Sequence, residues 1–168
     1  MSYDKFELLV QDFCKIVGLS APNTVTQGDP ILVDDVICVF NYSPTYFPDR
    51  VFIYVDYGAL PKGKEKEASI ALLRDNHARY TGDGQIFGCV PDSEHIVMSD
   101  HIDLHSQSGE SVALRISAVV ASVKKWRKDF FLPNQIQSHS VNSLTRSMGE
   151  KISAYHESAI SQKIRNLS

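Results

Sequence analysis

Apolar residues open the chain at helical spacing. Phe6, Leu9, Val10, Phe13 and Val17 recur every three or four positions, with Asp4, Lys5, Gln11, Asp12 and Lys15 elsewhere. This pattern predicts an amphipathic helix over 3–17, with Gly18 at its C-terminal cap and Pro22 barring continuation. The period then changes. Residues 31–40 and 51–55 are apolar runs, separated by turn-forming Asn41-Tyr42-Ser43-Pro44 and Pro48-Asp49. They predict two antiparallel strands joined by a long loop.

Both strands are apolar on both faces. Val36, Cys38 and Phe40 alternate with Ile37 and Val39, and Val51, Ile53 and Val55 alternate with Phe52 and Tyr54. A sheet wetted on one side would alternate apolar with polar instead. The second face is therefore expected to carry a cover: a helix, a second subunit or a bound ligand. After 55 comes Asp56-Tyr57-Gly58-Ala59-Leu60-Pro61, which predicts a tight turn that ends the strand.

Residues 65–79 predict a second helix. Its centre, Ile70-Ala71-Leu72-Leu73, is apolar almost all round, as for a helix buried on two sides. One of those sides suits a partner subunit. Gly82-Asp83-Gly84 leads into a strand over 85–90, and Pro91-Asp92-Ser93 turns it into 94–104, a hairpin. In the latter, Ile96, Met98, Ile102 and Leu104 share one face; Val97, Ser99, His101, Asp103 and His105 share the other. A third helix over about 110–130 follows from Val112, Ile116, Val119, Val123, Trp126 and Phe130, and Pro133 ends it. A Ser/Asn/Gln-rich stretch then precedes a weaker amphipathic pattern at Leu144, Met148, Ile152, Tyr155 and Ala159. The order is that of an α+β domain over 1–132 with a C-terminal extension, partly helical, over 133–168.

Composition narrows the function classes. With 168 residues, 43% of them apolar and 22% charged, the chain suits one globular domain with a core. Charge is uneven: residues 1–109 carry 8 Lys/Arg against 16 Asp/Glu, and residues 110–168 carry 9 against 4. Lys124, Lys125, Arg127 and Lys128 form one short basic cluster with no repeated aromatic platform, so it reads as a solvated helix face and not as a nucleic-acid surface. Cys14, Cys38 and Cys89 are isolated among apolar neighbours and read as free thiols of a reducing cytoplasm. There is neither a signal-peptide pattern nor a membrane-length apolar run.

Candidate chemistry is sparse. His101, Asp103 and His105 alternate on one strand face, a spacing that suits a metal, although the wet side of an edge strand gives the same pattern. Asp34 and Asp35 are adjacent in a predicted strand, so they point to opposite faces and form no carboxylate pair. Asp56 is expected to accept hydrogen bonds within a turn. Gly82-Asp83-Gly84 leads into a strand, whereas a phosphate cradle leads into a helix. No G-x-S-x-G occurs.

Several motifs share one order with a known family. Leu8-Leu9-Val10-Gln11-Asp12-Phe13 runs on to Gly18-Leu19; Gly58-Ala59-Leu60-Pro61 follows a strand; Leu72-Leu73-Arg74-Asp75-Asn76 lies in the next helix. Gly84-Gln85-Ile86-Phe87-Gly88 then precedes a hairpin and a long helix with Trp126. Over about residues 3–130 the chain resembles the CesT/Tir-chaperone family, the class I chaperones of bacterial type III secretion. That resemblance implies an α-β-β-β-α-β-β-α order with an antiparallel twisted sheet, and a cytoplasmic homodimer without catalysis or cofactor. It also implies binding of a secreted effector's N-terminal segment for delivery to the secretion apparatus. It would place Ile70, Leu73 and Phe87 at the dimer interface, and Phe6, Val10, Ile37, Val39, Phe52 and Tyr54 in effector-binding grooves. The extension at 133–168 goes beyond the family's usual end; a flexible arm, an extra helix, and a contact for the effector or the secretion ATPase stay open. The alternatives are an unrelated α+β ligand-binding or regulatory domain and a metal-dependent enzyme built on the His101 face.

Overall fold

The computed structural model describes residues 2–79, 84–91 and 93–132. Expectations for 133–168, and for the turn residues Gly82, Asp83 and Asp92, lie outside them. Helix α1 (Ser2–Val17) and a short helix α2 (Pro22–Thr26) precede strands β1 (Ile31–Val33), β2 (Val36–Tyr42) and β3 (Arg50–Ala59). Helix α3 (Glu65–Arg79), strands β4 (Ile86–Cys89) and β5 (His95–Asp103), and helix α4 (Gly109–Asp129) follow. All strand pairs are antiparallel, in the order β1-β2-β3-β5-β4.

Local chemistry explains where the elements begin and end. Helix α1 closes with a Schellman-type bond from Leu19 N–H to Cys14 O at 2.9 Å. Helix α4 opens with a capping box: Ser108 Oγ accepts from Ser111 N–H at 3.2 Å, and Ser111 Oγ accepts from Ser108 N–H at 3.0 Å. At its end Phe130 and Phe131 both take positive φ, 53° each. Their rings pack edge-on against Trp126, with centroids 5.3 and 5.4 Å away, which offsets the backbone cost.

Two expectations need correcting, and one element is added. The run 31–40 is not one strand. Asp34 and Asp35, with φ of 55° and 66°, form a two-residue hairpin turn between β1 and β2. Short polar Asp side chains tolerate that left-handed backbone, and the split supplies the third strand ahead of α3. The added element is a short helix that Pro22 begins, since a proline at the first helical position loses no needed N–H; α1 itself ends before it, as expected. The second correction is that 56–59 does not turn out of the sheet. Strand β3 continues through Ala59, and Tyr57 is an extra residue between the pairs Asp56↔Val97 and Gly58↔Ile96. This is a β-bulge. Gly58 takes φ 94°, where a side chain would be strained, and its N–H donates to Asp56 Oδ1 at 2.8 Å. Tyr57, in phase with the buried Val51, Ile53 and Val55, keeps its ring inward, edge-on to Phe87 at 4.9 Å.

The core lies on one face of the sheet. Val36, Cys38, Phe40, Val51, Ile53, Val55, Met98 and Ile102 are buried there with Phe6, Val10 and Phe13 of α1 and Val112, Ile116, Val119, Val123 and Trp126 of α4. Phe13 meets Phe40 at 5.1 Å. The two helices come close enough that a Cβ on Gly109 would fall 2.6 Å from Phe13 N. Helix α3 flanks β4, burying Ala68 and Leu72.

Candidate functional site

The opposite face of the sheet is built from the residues that made β2 and β3 apolar on both sides. The register aligns Val39, Tyr54, Ser99 and Ile86 as one cross-strand row. A second row runs Asn41, Phe52, His101. Phe47, from the loop after β2, packs edge-on against Phe52 with ring centroids 5.0 Å apart. Val39, Phe52 and Tyr54 are half-buried, whereas Ile37 is 42% and Ile86 51% exposed. These rows hold no Lys, Arg, Asp or Glu. No helix among the described residues covers this face.

A second apolar surface runs along α3. Leu72 points inward and is buried, while Ile70 is 39% and Leu73 66% exposed. Between α3 and β4 lies a groove of about 250 Å³ lined by Leu72, Leu73, Asn76, Phe87, Cys89 and Ile96. The helix that reads as apolar almost all round therefore buries one side in the domain and leaves another exposed among the described residues.

The nine residues singled out from the sequence fall into three groups. Ile37, Val39, Phe52 and Tyr54 come together on the outer face. Ile70 and Leu73 lie on the exposed side of α3, and Phe87 lines its groove, itself buried. Phe6 and Val10, expected in a binding groove, are fully buried. Phe6 stacks on Tyr42 at 4.8 Å, so these two residues serve core packing.

The metal reading does not survive the geometry. Among the described residues no three His, Cys, Asp or Glu side chains converge. His105 lies past the end of β5, with Nε2 2.6 Å from Asp49 Oδ1 and Nδ1 2.9 Å from Lys5 Nζ. Asp103 accepts the N–H of His105 at 2.7 Å and that of Ser106 at 3.1 Å. The His105 bond above all holds its carboxyl below the usual range. His101 instead faces Phe52, with ring centroids 6.3 Å apart.

Three residues of the basic cluster on α4 find partners within the fold. Arg127 donates to the carbonyls of Tyr57, Asp35 and Asp56 at 3.2–3.3 Å, fastening α4 to the bulge and the β1–β2 turn. Lys124 pairs with Asp34, and Lys125 with Asp129. Sequence reasoning missed a polar network inside the core face. Asp100, 3% exposed, takes a bidentate grip from Arg115 and a 3.0 Å bond from Gln85. Gln85 in turn accepts from Arg79, which also donates to Asp75 at 2.6 Å. The signal was present: Asp100 sits in phase with Ile96, Met98 and Ile102, a carboxylate on an apolar face.

A family model, that of the Tir chaperone protein (CesT) family, matches residues 38–127, more than half of the chain. The chain belongs to the CesT family. The family is one of type III secretion chaperones, without catalytic activity. The match runs from β2 to α4 and so spans both apolar surfaces. Solved structures share the fold. The HopA1–SchA chaperone–effector complex matches with a TM-score of 0.60 at 15% identity, over 76% of this chain and 97% of that one. The ExsC–ExsE complex matches with a TM-score of 0.59 at 15% identity, over 74% and 92%. The type III secretion chaperone SycH of Yersinia pestis, in complex with a stable fragment of YscM2, gives 0.53 at 14% identity, over 70% and 95%. No curated protein matches the chain significantly.

Proposed function

We propose that this protein is a type III secretion chaperone that holds the N-terminal segment of a secreted effector on the outer face of its sheet. The observation that carries the reading is the uncovered apolar face of Ile37, Val39, Phe52 and Tyr54, on a sheet whose other face already holds the core. An apolar surface of this kind suits side chains that a client exposes before it folds. Binding there hides those side chains and keeps the segment from collapsing, and no bond is made or broken. The HopA1–SchA chaperone–effector complex among the structural neighbours supports the partner class.

The same reading takes the protein as a homodimer. A two-fold interface brings one patch against its own copy, and the exposed side of α3 with Ile70 and Leu73, beside the groove at Phe87, offers such a patch. It also leaves the chain without an enzymatic role, acting in the bacterial cytoplasm and handing its client to the secretion apparatus.

Recovery of the tagged protein from its native host tests this. One or two large secreted proteins should come with it, attached through their N-terminal portions. Recovery of the chaperone alone, from cells that express the secretion system, overturns the reading.

A further inference from the structure

Among the described residues, strand β4 lies at one edge of the sheet, with β5 on one side and no strand on the other. In an antiparallel pair the backbone groups of alternate residues face the neighbour and the rest face away. Val90 donates its N–H to His95 O at 3.0 Å. Gly88 and Ile86 are in phase with Val90 and face β5, opposite Val97 and Ser99. Phe87 and Cys89 therefore turn their N–H and C=O groups toward the open edge. Such groups are a template for another chain.

At Phe87 the template is already occupied. Its N–H donates to Asn76 Oδ1 at 2.7 Å, and Asn76 Nδ2 donates back to Phe87 O at 3.0 Å. One side-chain amide on α3 thus makes both bonds that a residue of an added strand would make. Within β4 this leaves Cys89 alone with outward groups, and one residue does not sustain a ladder. The β1 edge carries no such seal. The two-residue turn at Asp34-Asp35 sets Val33 and Val36 as a mutually bonded pair, so Leu32 turns both its N–H and its C=O outward. No side chain among the described residues bonds them.

We infer that Asn76 is an edge seal. It closes β4 to strand addition, so a chain meeting the α3–β4 side does so by side-chain packing. This inference does not rest on the client-binding reading, and its test uses no client.

Amide hydrogen exchange on the intact wild-type protein reads the seal directly. The Phe87 amide should exchange more slowly than that of Cys89 by about tenfold or more, the factor that corresponds to a hydrogen bond of ordinary strength. Equal rates overturn the seal, and this comparison stands even if a variant fails to fold. In Asn76→Ala, the Phe87 amide should lose its protection, and the solution mass should rise with concentration above that of wild type. Protection kept in Asn76→Ala shows that another group holds the edge. Protection lost with an unchanged mass at every concentration shows that the bared edge takes no strand. Either result sinks the proposal.

Discussion

Arg115 grips Asp100 with two hydrogen bonds, Nε to Oδ2 at 2.6 Å and Nη2 to Oδ1 at 2.7 Å. The carboxylate is buried while the guanidinium stays partly in water. The pair ties α4 to β5 at a point where the apolar rows of the core are interrupted. Removing the cation leaves a buried charge whose remaining side-chain partner is the Gln85 amide. Arg115→Leu should therefore destabilise the fold by about 3 kcal/mol. Replacing both partners with leucine should recover a good part of that loss, because no unpaired charge remains. Urea unfolding of the two variants and the wild type checks this; a double variant less stable than Arg115→Leu would contradict it.

Gly109 marks the closest approach of the two core helices. It is buried at the start of α4, and a Cβ there would meet Asp12 Cβ and Phe13 N, each at 2.6 Å. The obstacle includes backbone, so relief requires shifting α1 as a whole. Gly109→Ala, ordinarily favourable inside a helix, should instead cost about 1–3 kcal/mol. A melting temperature equal to or above that of wild type would show that the helices have more freedom than the packing implies.

The three cysteines should separate by reactivity. Burial pushes the Cys38 thiol up to about 12 and raises that of Cys14, so both stay protonated and shielded at pH 8. Cys89 is exposed at the end of β4. Iodoacetamide at pH 8 should label Cys89 in the native protein and the other two only after unfolding. The linkage sign follows. Above the ordinary thiol range the unfolded chain loses its Cys38 proton while the folded chain keeps it, so stability falls as pH rises from about 9 toward 12. Cys38→Ala should flatten that part of the pH–stability curve; an unchanged slope would refute the assignment.

Much of the architecture was legible because alternation and helical spacing are strong signals where one face is buried. Residues 65–79 read as a helix, and a helix over Glu65–Arg79 is what forms. The apolar second face of β2 and β3 was equally plain. What alternation could not convey is which covered position is covered by what. Phe6 and Val10 have the same spacing as surface anchors, yet they pack into the core. The bulge at Tyr57 was hidden because a single inserted residue shifts the phase within a run that remains strand-like. The Asp34-Asp35 turn was hidden because apolar residues flank it on both sides. The Arg115–Asp100 pair joins residues on different elements, and nothing local to either announces the other.

Leu73 tests the two-fold surface. It is 66% exposed on the described chain, so a charge there needs no burial in the monomer. In an interface that buries it, the same charge is desolvated without a partner. Leu73→Asp should keep the wild-type circular dichroism and reduce the solution mass from that of the proposed dimer to the 18.8 kDa of one chain. Phe87 and Leu72 are unsuitable for this test, because both are buried within the protomer and their loss would damage the fold. A Leu73→Asp protein that remains dimeric at micromolar concentration moves the interface off α3.

Tyr54 separates client binding from folding. Its neighbours in the outer row are Val39 and Ser99, and it is half-buried on a face that the core does not use. A carboxylate at that position stays hydrated in the free protein, so Tyr54→Asp should lower the melting temperature little. Against an apolar client the same carboxylate must shed water without gaining a partner. Central aromatic anchors of this kind commonly account for about 2 kcal/mol or more, which corresponds to well over a tenfold loss of affinity. The comparison to make is client recovery by Tyr54→Asp and by Leu32→Asp at equal expression, since Leu32 lies at the rim of the same face. A strong loss at Tyr54 with a mild one at Leu32 places the client over the centre of the sheet. The reverse order assigns it to the β1 edge, and no loss at either removes the outer face from client binding.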